Sequence, residues 1–262
     1  MSEVVFKRVD DGVAVITLNR PERLNAWTAE MERLYFDALQ ECGDSAEVRV
    51  IVLTGAGRGF CAGADMQDLQ AIGSGDIDAS ALEHERRPQT FPLTIEKPII
   101  AAINGACAGL GLVQALMCDL RFAAEGAKLT SAFARRGLVA EHGISWLLPR
   151  LIGPARALDL LLSARIVLAE EAHALGLVNR VLAPEALLEQ TLEYARELAL
   201  SSSPASMATI KRQVYADLEC GLHDALARAD ELMLASFAAA DFQEGVASFL
   251  QRRDPRFAAL GA

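Results

Sequence analysis

Two continuous apolar runs, VRVIVLTG at 48–55 and KPIIAAING at 97–105, each end on glycine and lead into a glycine-rich turn and a helix-compatible stretch. A half-exposed strand alternates polar and apolar residues. These runs do not, so both are read as strands covered on two faces. Parallel pairing with helical crossovers covers a sheet in that way, which makes the fold class α/β. LRFAAEGAKLTS at 120–131 is read as a third strand.

The flanking segments extend this frame. VVFKRV and GVAVITL, joined by Asp10-Asp11-Gly12, predict an opening hairpin. Thr28 is placed to cap a helix running to about Cys42, with Met31, Leu34, Tyr35, Ala38 and Leu39 at helical spacing and Gly43 as its end. SGDIDASALEHERRPQT at 74–90 is polar and uneven, as expected of a surface loop and helix that serve as a lid. From Pro184 strand signals stop, and segments beginning near Pro184, Pro204, Gly221 and Asp241 read as amphipathic helices. The expected organisation is an α/β core over 1–183 and a helical module over 184–262.

Composition narrows the function classes. There are 25 Lys and Arg against 35 Asp and Glu, a net charge of -10, and no basic run with interleaved aromatics. Neither nucleic acid nor an anionic membrane is expected as a partner. The five cysteines are scattered without CxxC spacing and the four histidines are dispersed, so no metal site is expected, and a reducing, cytoplasmic setting is. No apolar run approaches the roughly 20 residues of a membrane span.

GAGRGFCAGAD at 55–65 and NGACAGLG at 104–111 both follow strands, which raises nucleotide binding first. Neither turn supplies the Lys-Ser/Thr of a phosphate loop, and Gln114 stands where a third fingerprint glycine would be. Two strand-to-helix turns side by side have another use. They can aim backbone N–H groups at one oxygen, forming an oxyanion hole.

LNRPERLNAW, GFCAGADMQDL, KPIIAAINGACAGLGLVQALMCDLRFAAEGAKL, GLVAEHGISWLLPRLIG and AEEAHALGLVNRV, in this order, together with the ending ASFAAADFQEGVASFLQRRDPRF, resemble the crotonase superfamily, which includes enoyl-CoA hydratases and isomerases. The resemblance spans nearly the whole chain. It implies the ClpP/crotonase fold of ββα repeats with a helical C-terminal module, a homotrimer or hexamer, and an acyl-CoA substrate. No cofactor is implied beyond the coenzyme A that the substrate carries.

Carried over residue by residue, the resemblance makes the N–H groups of Ala62 and Leu110 the donors to the thioester oxygen. It places coenzyme A against Arg23, Leu24, Ala62, Gly63, Ala64, Asp65 and Met66, with Lys211 at a phosphate. For Asp65, capping the next helix is favoured over touching substrate. For Arg23, the competing role is solvation at the surface.

Hydratases of the family carry two glutamates, at positions that here are Val113 and Phe133. Neither residue can transfer a proton. Glu141, in GLVAEHG, stands where several isomerases and related members have Asp or Glu. One carboxylate suffices for isomerisation, because it can take a proton from one carbon and return it two bonds away while the oxyanion hole holds the dienolate. The resemblance therefore implies a double-bond isomerase with Glu141 as acid and base. A hydratase with non-standard residues, an acyl-CoA hydrolase or decarboxylase, and a non-catalytic acyl-CoA binding protein remain open.

His142 is adjacent, but neighbouring side chains diverge in extended or helical backbone, which argues against a partnership with Glu141. Glu83 and His84, in the expected lid, are further acid/base candidates.

Overall fold

The opening hairpin forms as its alternation predicts. Strand β1 (Val5–Asp10) pairs antiparallel with β2 (Val13–Leu18), Val5 opposite Leu18 and Asp10 opposite Val13. The structure, a computed structural model, describes residues 5–76 and 86–260. Strand β2 pairs parallel with β3 (Val50–Gly55), β3 with β5 (Ile99–Ile103), β5 with β7 (Leu120–Ala124), and β7 with β10 (Arg180–Leu182). Every residue of β3 and β5 is buried. Side chains enter core from both faces of these strands, which is why neither run alternates.

A second sheet stands at the C-terminal ends of these core strands. It consists of β4 (Gly59–Cys61), β6 (Ala106–Ala108), β8 (Lys128–Thr130) and β9 (Val167–Leu168), in that order, with the first three parallel and β9 antiparallel. Each of β3, β5 and β7 is thus followed by a short strand of the second sheet, and three repeats of the same design lie side by side. The segment 120–131 is therefore two strands in different sheets, where the sequence reads as one. Glu125 and Gly126 turn the chain between them, and Ala127 N–H closes the turn on the Ala124 carbonyl at 3.0 Å.

Helix α1 (Ala29–Asp44) begins where expected, with the Thr28 hydroxyl accepting from Met31 N–H at 3.2 Å. Its buried face carries Met31, Tyr35, Phe36, Leu39 and Cys42. Gly43 does not end it. The glycine lies inside the helix, where an added Cβ would sit 3.4 Å from Ile95 Cδ1, so its small size serves close packing rather than chain reversal.

The crossovers are completed by α2 (Met66–Ser74), α3 (Leu110–Leu116), α4 (Ile144–Ile152), α5 (Pro154–Ser163) and α6 (Ala169–Leu175). After β10 come four helices, α7 (Leu187–Ser201), α8 (Pro204–Asp217), α9 (Leu222–Phe237) and α10 (Ala240–Gln251), and no further strand among the described residues. Helix α7 lies across β2, β3, β5 and β7 and buries Leu187, Thr191, Ala195 and Ala199 there. It covers the main sheet, while α9 and α10 keep large apolar side chains exposed.

Candidate active site

The three parallel strands β4, β6 and β8 release their chains at one end of the second sheet, where parallel sheets commonly present ligands. The turns leaving that end are 62–65, 109–110 and the longer segment 131–143. Glycine brings the first two into contact. Gly63 has φ 95, and a Cβ on it would fall 2.9 Å from the Ala108 carbonyl oxygen and 3.6 Å from Gly109 Cα. Only glycine combines that backbone conformation with that separation.

Two asparagines hold the first turn's base. Asn25, fully buried, accepts from Arg20 N–H at 2.8 Å, and its Nδ2 lies within 3.2 Å of the carbonyls of Ala56, Gly59 and Phe60. Asn104 Nδ2 donates to the carbonyls of Gly55 and Gly57, each at 2.9 Å, across to the neighbouring crossover. Buried backbone groups of irregular segments need such partners, and these side chains supply them.

The LNRPER and AGADM segments lie against each other. Trp27 N–H donates to Gly63 O at 2.7 Å, and Asp65 N–H donates to Trp27 O at 2.9 Å. Arg23 is exposed, Leu24 half-buried and Met66 exposed, all on this rim. Asp65 takes the capping role that the sequence favours for it. It is buried, its carboxylate accepts from Gln67 N–H at 3.1 Å as the cap of α2, and it pairs with Arg20 at 3.0 Å. The Gln67 N–H and then the Arg20 guanidinium hold its pKa below the usual carboxylate range, against the opposing effect of burial.

Lys211 does not reach this rim. Its buried ammonium pairs with Asp119 at 2.8 Å and donates to Lys97 O at 3.2 Å. Asp119 also accepts from Ile99 N–H at 2.7 Å, where β5 begins, so Lys211 lies at the opposite end of the strands from the glycine turns.

The oxyanion donors also need correction. Ala62 N–H is already used, donating to Leu24 O at 3.0 Å. The residue two further on differs, because Ala64 forms an isolated parallel bridge with Trp27. In a parallel bridge the partner bonds to the residues on either side, here Gly63 O and Asp65 N, so Ala64's own N–H is directed away from Trp27. Leu110 is the first residue of α3, and a first-turn N–H has no intrahelical acceptor. Among the described residues, the backbone bonds engage neither Ala64 N–H nor Leu110 N–H. Each follows one of the two abutting glycines. The sequence signal for Ala64 is that its predecessor needs positive φ, a property that CAGAD alone does not reveal.

Glu141 lies on the segment that leaves β8 and enters α4, and α4 packs against α3. Its side chain keeps 30% of its surface in water. Val113 and Phe133 are buried at 0% and 5% exposure, so the two positions of the hydratase glutamates are core here. His142 does not diverge from Glu141. It has φ 56, and its Nε2 stands 3.6 Å from Glu141 Oε2. Glu83 and His84 lie outside the described residues, as does most of the expected lid.

The sequence and the structure have known relatives. Residues 8–259 match the family model for enoyl-CoA hydratase/isomerase. The chain is 36% identical over 260 residues to the 1,2-epoxyphenylacetyl-CoA isomerase of Escherichia coli K12, covering 98% of this chain and 99% of that one. It is 51% identical to an enoyl-CoA hydratase of Mycobacterium marinum, whose crystal structure superposes with a TM-score of 0.72 over 84% of this chain and 100% of that one. The crystal structure of an enoyl-CoA hydratase from Polaromonas sp. JS666, at 31% identity, superposes with a TM-score of 0.89 over 97% and 99% of the two chains. Agreement in sequence over the whole length, and in a fold built of the three ββα repeats described above, leads to one assignment: the chain belongs to the enoyl-CoA hydratase/isomerase family, with the crotonase fold.

Proposed function

We propose that this protein is an enoyl-CoA double-bond isomerase that holds a thioester enolate on the N–H groups of Ala64 and Leu110 and moves the proton with Glu141. One observation carries the reading. The turns 62–65, 109–110 and 131–143 contain two carboxylates, Asp65 and Glu141, and Asp65 is committed to Arg20 and the cap of α2. Of these two, Glu141 is the one left to accept a proton.

As the base takes a proton from the carbon between the thioester and the double bond, charge develops on the carbonyl oxygen. Two fixed N–H dipoles meet that charge without reorganising, and each such donor contributes about 10²–10³ in rate. Glu141, now protonated, returns its proton to the far carbon of the dienolate. Such positioned acid/base transfer contributes about 10²–10⁴. The exposed Arg23 supports binding of the coenzyme A phosphates. No cofactor beyond the coenzyme A of the substrate enters this scheme.

The exposed apolar residues of α9 and α10, Leu222 at 85% and Phe249 at 82% among them, support assembly into a homotrimer or hexamer. The five unpaired cysteines, four of them buried, support a reducing cytoplasmic setting.

A hydratase is the second reading, favoured by the names of the Mycobacterium and Polaromonas relatives. The isomerase reading is supported by the apolar Val113 and Phe133, and the Escherichia relative, an isomerase of an epoxyphenylacetyl-CoA, shares with it only the acyl-CoA class of substrate and the general type of reaction. Assaying 3-enoyl-CoA isomerisation beside hydration of 2-enoyl-CoA separates them. The expected result is isomerase turnover exceeding hydration by at least about tenfold, since neither Val113 nor Phe133 can activate water. Hydration as fast as isomerisation overturns the assignment.

A further inference from the structure

Two consecutive residues with left-handed backbone lead into α4. His142 has φ 56 and Gly143 has φ 79. Glycine adopts this conformation freely and asparagine tolerates it, but histidine does so under strain. At His142 the consequence of this backbone is visible. In extended or helical backbone the side chains of residues 141 and 142 would point apart. With His142 left-handed, the ring comes back over its neighbour, Nε2 at 3.6 Å from Glu141 Oε2, each side chain keeping close to a quarter to a third of its surface in water. That separation is longer than a hydrogen bond and within ion-pair range. A modest rotation of either side chain closes it.

We propose that His142 is the positioning residue and proton relay for Glu141, fixing its carboxylate and connecting its proton to solvent. The proposal rests on the isomerase reading above. Glu141 takes the proton from the carbon next to the thioester, and the C–H electron pair enters the dienolate held by Ala64 and Leu110. The new carboxylic O–H passes its proton to the neutral ring at Nε2, giving carboxylate and imidazolium. The partly exposed imidazolium exchanges that proton with water and returns one to Glu141. Glu141 then delivers a proton to the far carbon, the dienolate supplying the electron pair of the new C–H bond. No net proton is consumed. Without the relay, Glu141 returns the same proton that it took.

The test uses the full chain and a 3-enoyl-CoA deuterated at the carbon next to the thioester, with the label followed into the far carbon of the product. His142→Asn and His142→Gly both accept a left-handed backbone, so both are expected to fold at least as well as the wild type. The wild type is expected to lose most of the label to solvent. In both variants transfer of label is expected to rise several-fold, with kcat lower by about 10- to 100-fold and KM unchanged, because the carboxylate is less well held. Label transfer and kcat matching the wild type in both variants overturn the relay. Glu141→Gln, run in parallel, reports separately on the isomerase reading: turnover that survives there overturns that reading. Turnover lost there, with both His142 variants unchanged, overturns the relay alone.

Discussion

Glu32 shows how much of the site's framework depends on single residues far apart in sequence. Its buried carboxylate accepts from Trp27 Nε1 at 3.0 Å, from Arg86 at 2.6 and 2.7 Å, and from Gln89. Gln89 Oε1 in turn accepts from Gln114 Nε2 at 2.7 Å, so the chain of bonds runs from α1 to α3, the helix that begins at Leu110. Removing one partner of a buried pair leaves an uncompensated charge. Arg86→Leu is expected to cost about 3 kcal/mol in urea unfolding, the low end of the range for buried pairs because Arg86 is partly solvated. Asp65 makes a pH-dependent contribution. Because its folded pKa is lowered, its stabilisation is fully present above the unfolded value of about 3.9 and is lost as pH falls through the folded value. The stability difference between wild type and Asp65→Asn should therefore be largest near neutral pH and shrink as pH falls below about 3.9. None of these pairings is legible in the sequence, since the Glu32 and Arg86 partners are 54 residues apart and nothing local links them. Asp65 as a helix cap is legible, because that role needs only its immediate neighbours.

At the level of elements, the apolar runs, the hairpin and the Thr28 cap could be read because each is decided locally, by burial on two faces, by a turn or by one hydroxyl. The short strands of the second sheet could not. Three residues carry no period, and what makes them strands is their neighbours. Gly43 misleads for a similar reason: glycine marks both helix ends and close contacts, and only the position of Ile95 distinguishes them. The contacts between elements give a prediction with its own control. A Cβ at Gly111 would fall 2.1 Å from the Cys61 backbone oxygen, so Gly111→Ala must force α3 away from β4. It is expected to lower stability by at least about 1–3 kcal/mol and to lower kcat by displacing Leu110 from Ala64. Gly73, in α2, meets nothing within 4 Å, and Gly73→Ala should gain about 0.5–1 kcal/mol. Thermal unfolding of the two variants and steady-state kinetics of Gly111→Ala check both directions.

For the whole molecule, the sequence boundary near residue 184 marks the end of the strands, while the packing extends further. Helix α7 belongs with the main sheet that it covers, and the apolar faces left uncovered are on α9 and α10. Sedimentation is expected to give three or six times the mass of one chain, and Phe249→Asp, which puts a charge on that face, is expected to shift the distribution toward monomer. Two glycine turns abut here, Val113 and Phe133 are buried, and the proposed function assigns proton transfer to Glu141. The direct test is exchange of the proton next to the thioester into deuterated water, followed by NMR on a bound acyl-CoA for wild type and Glu141→Gln. Exchange by the wild type and its loss by a factor of at least about 10² in Glu141→Gln is the predicted result. Exchange in Glu141→Gln at the wild-type rate would contradict it.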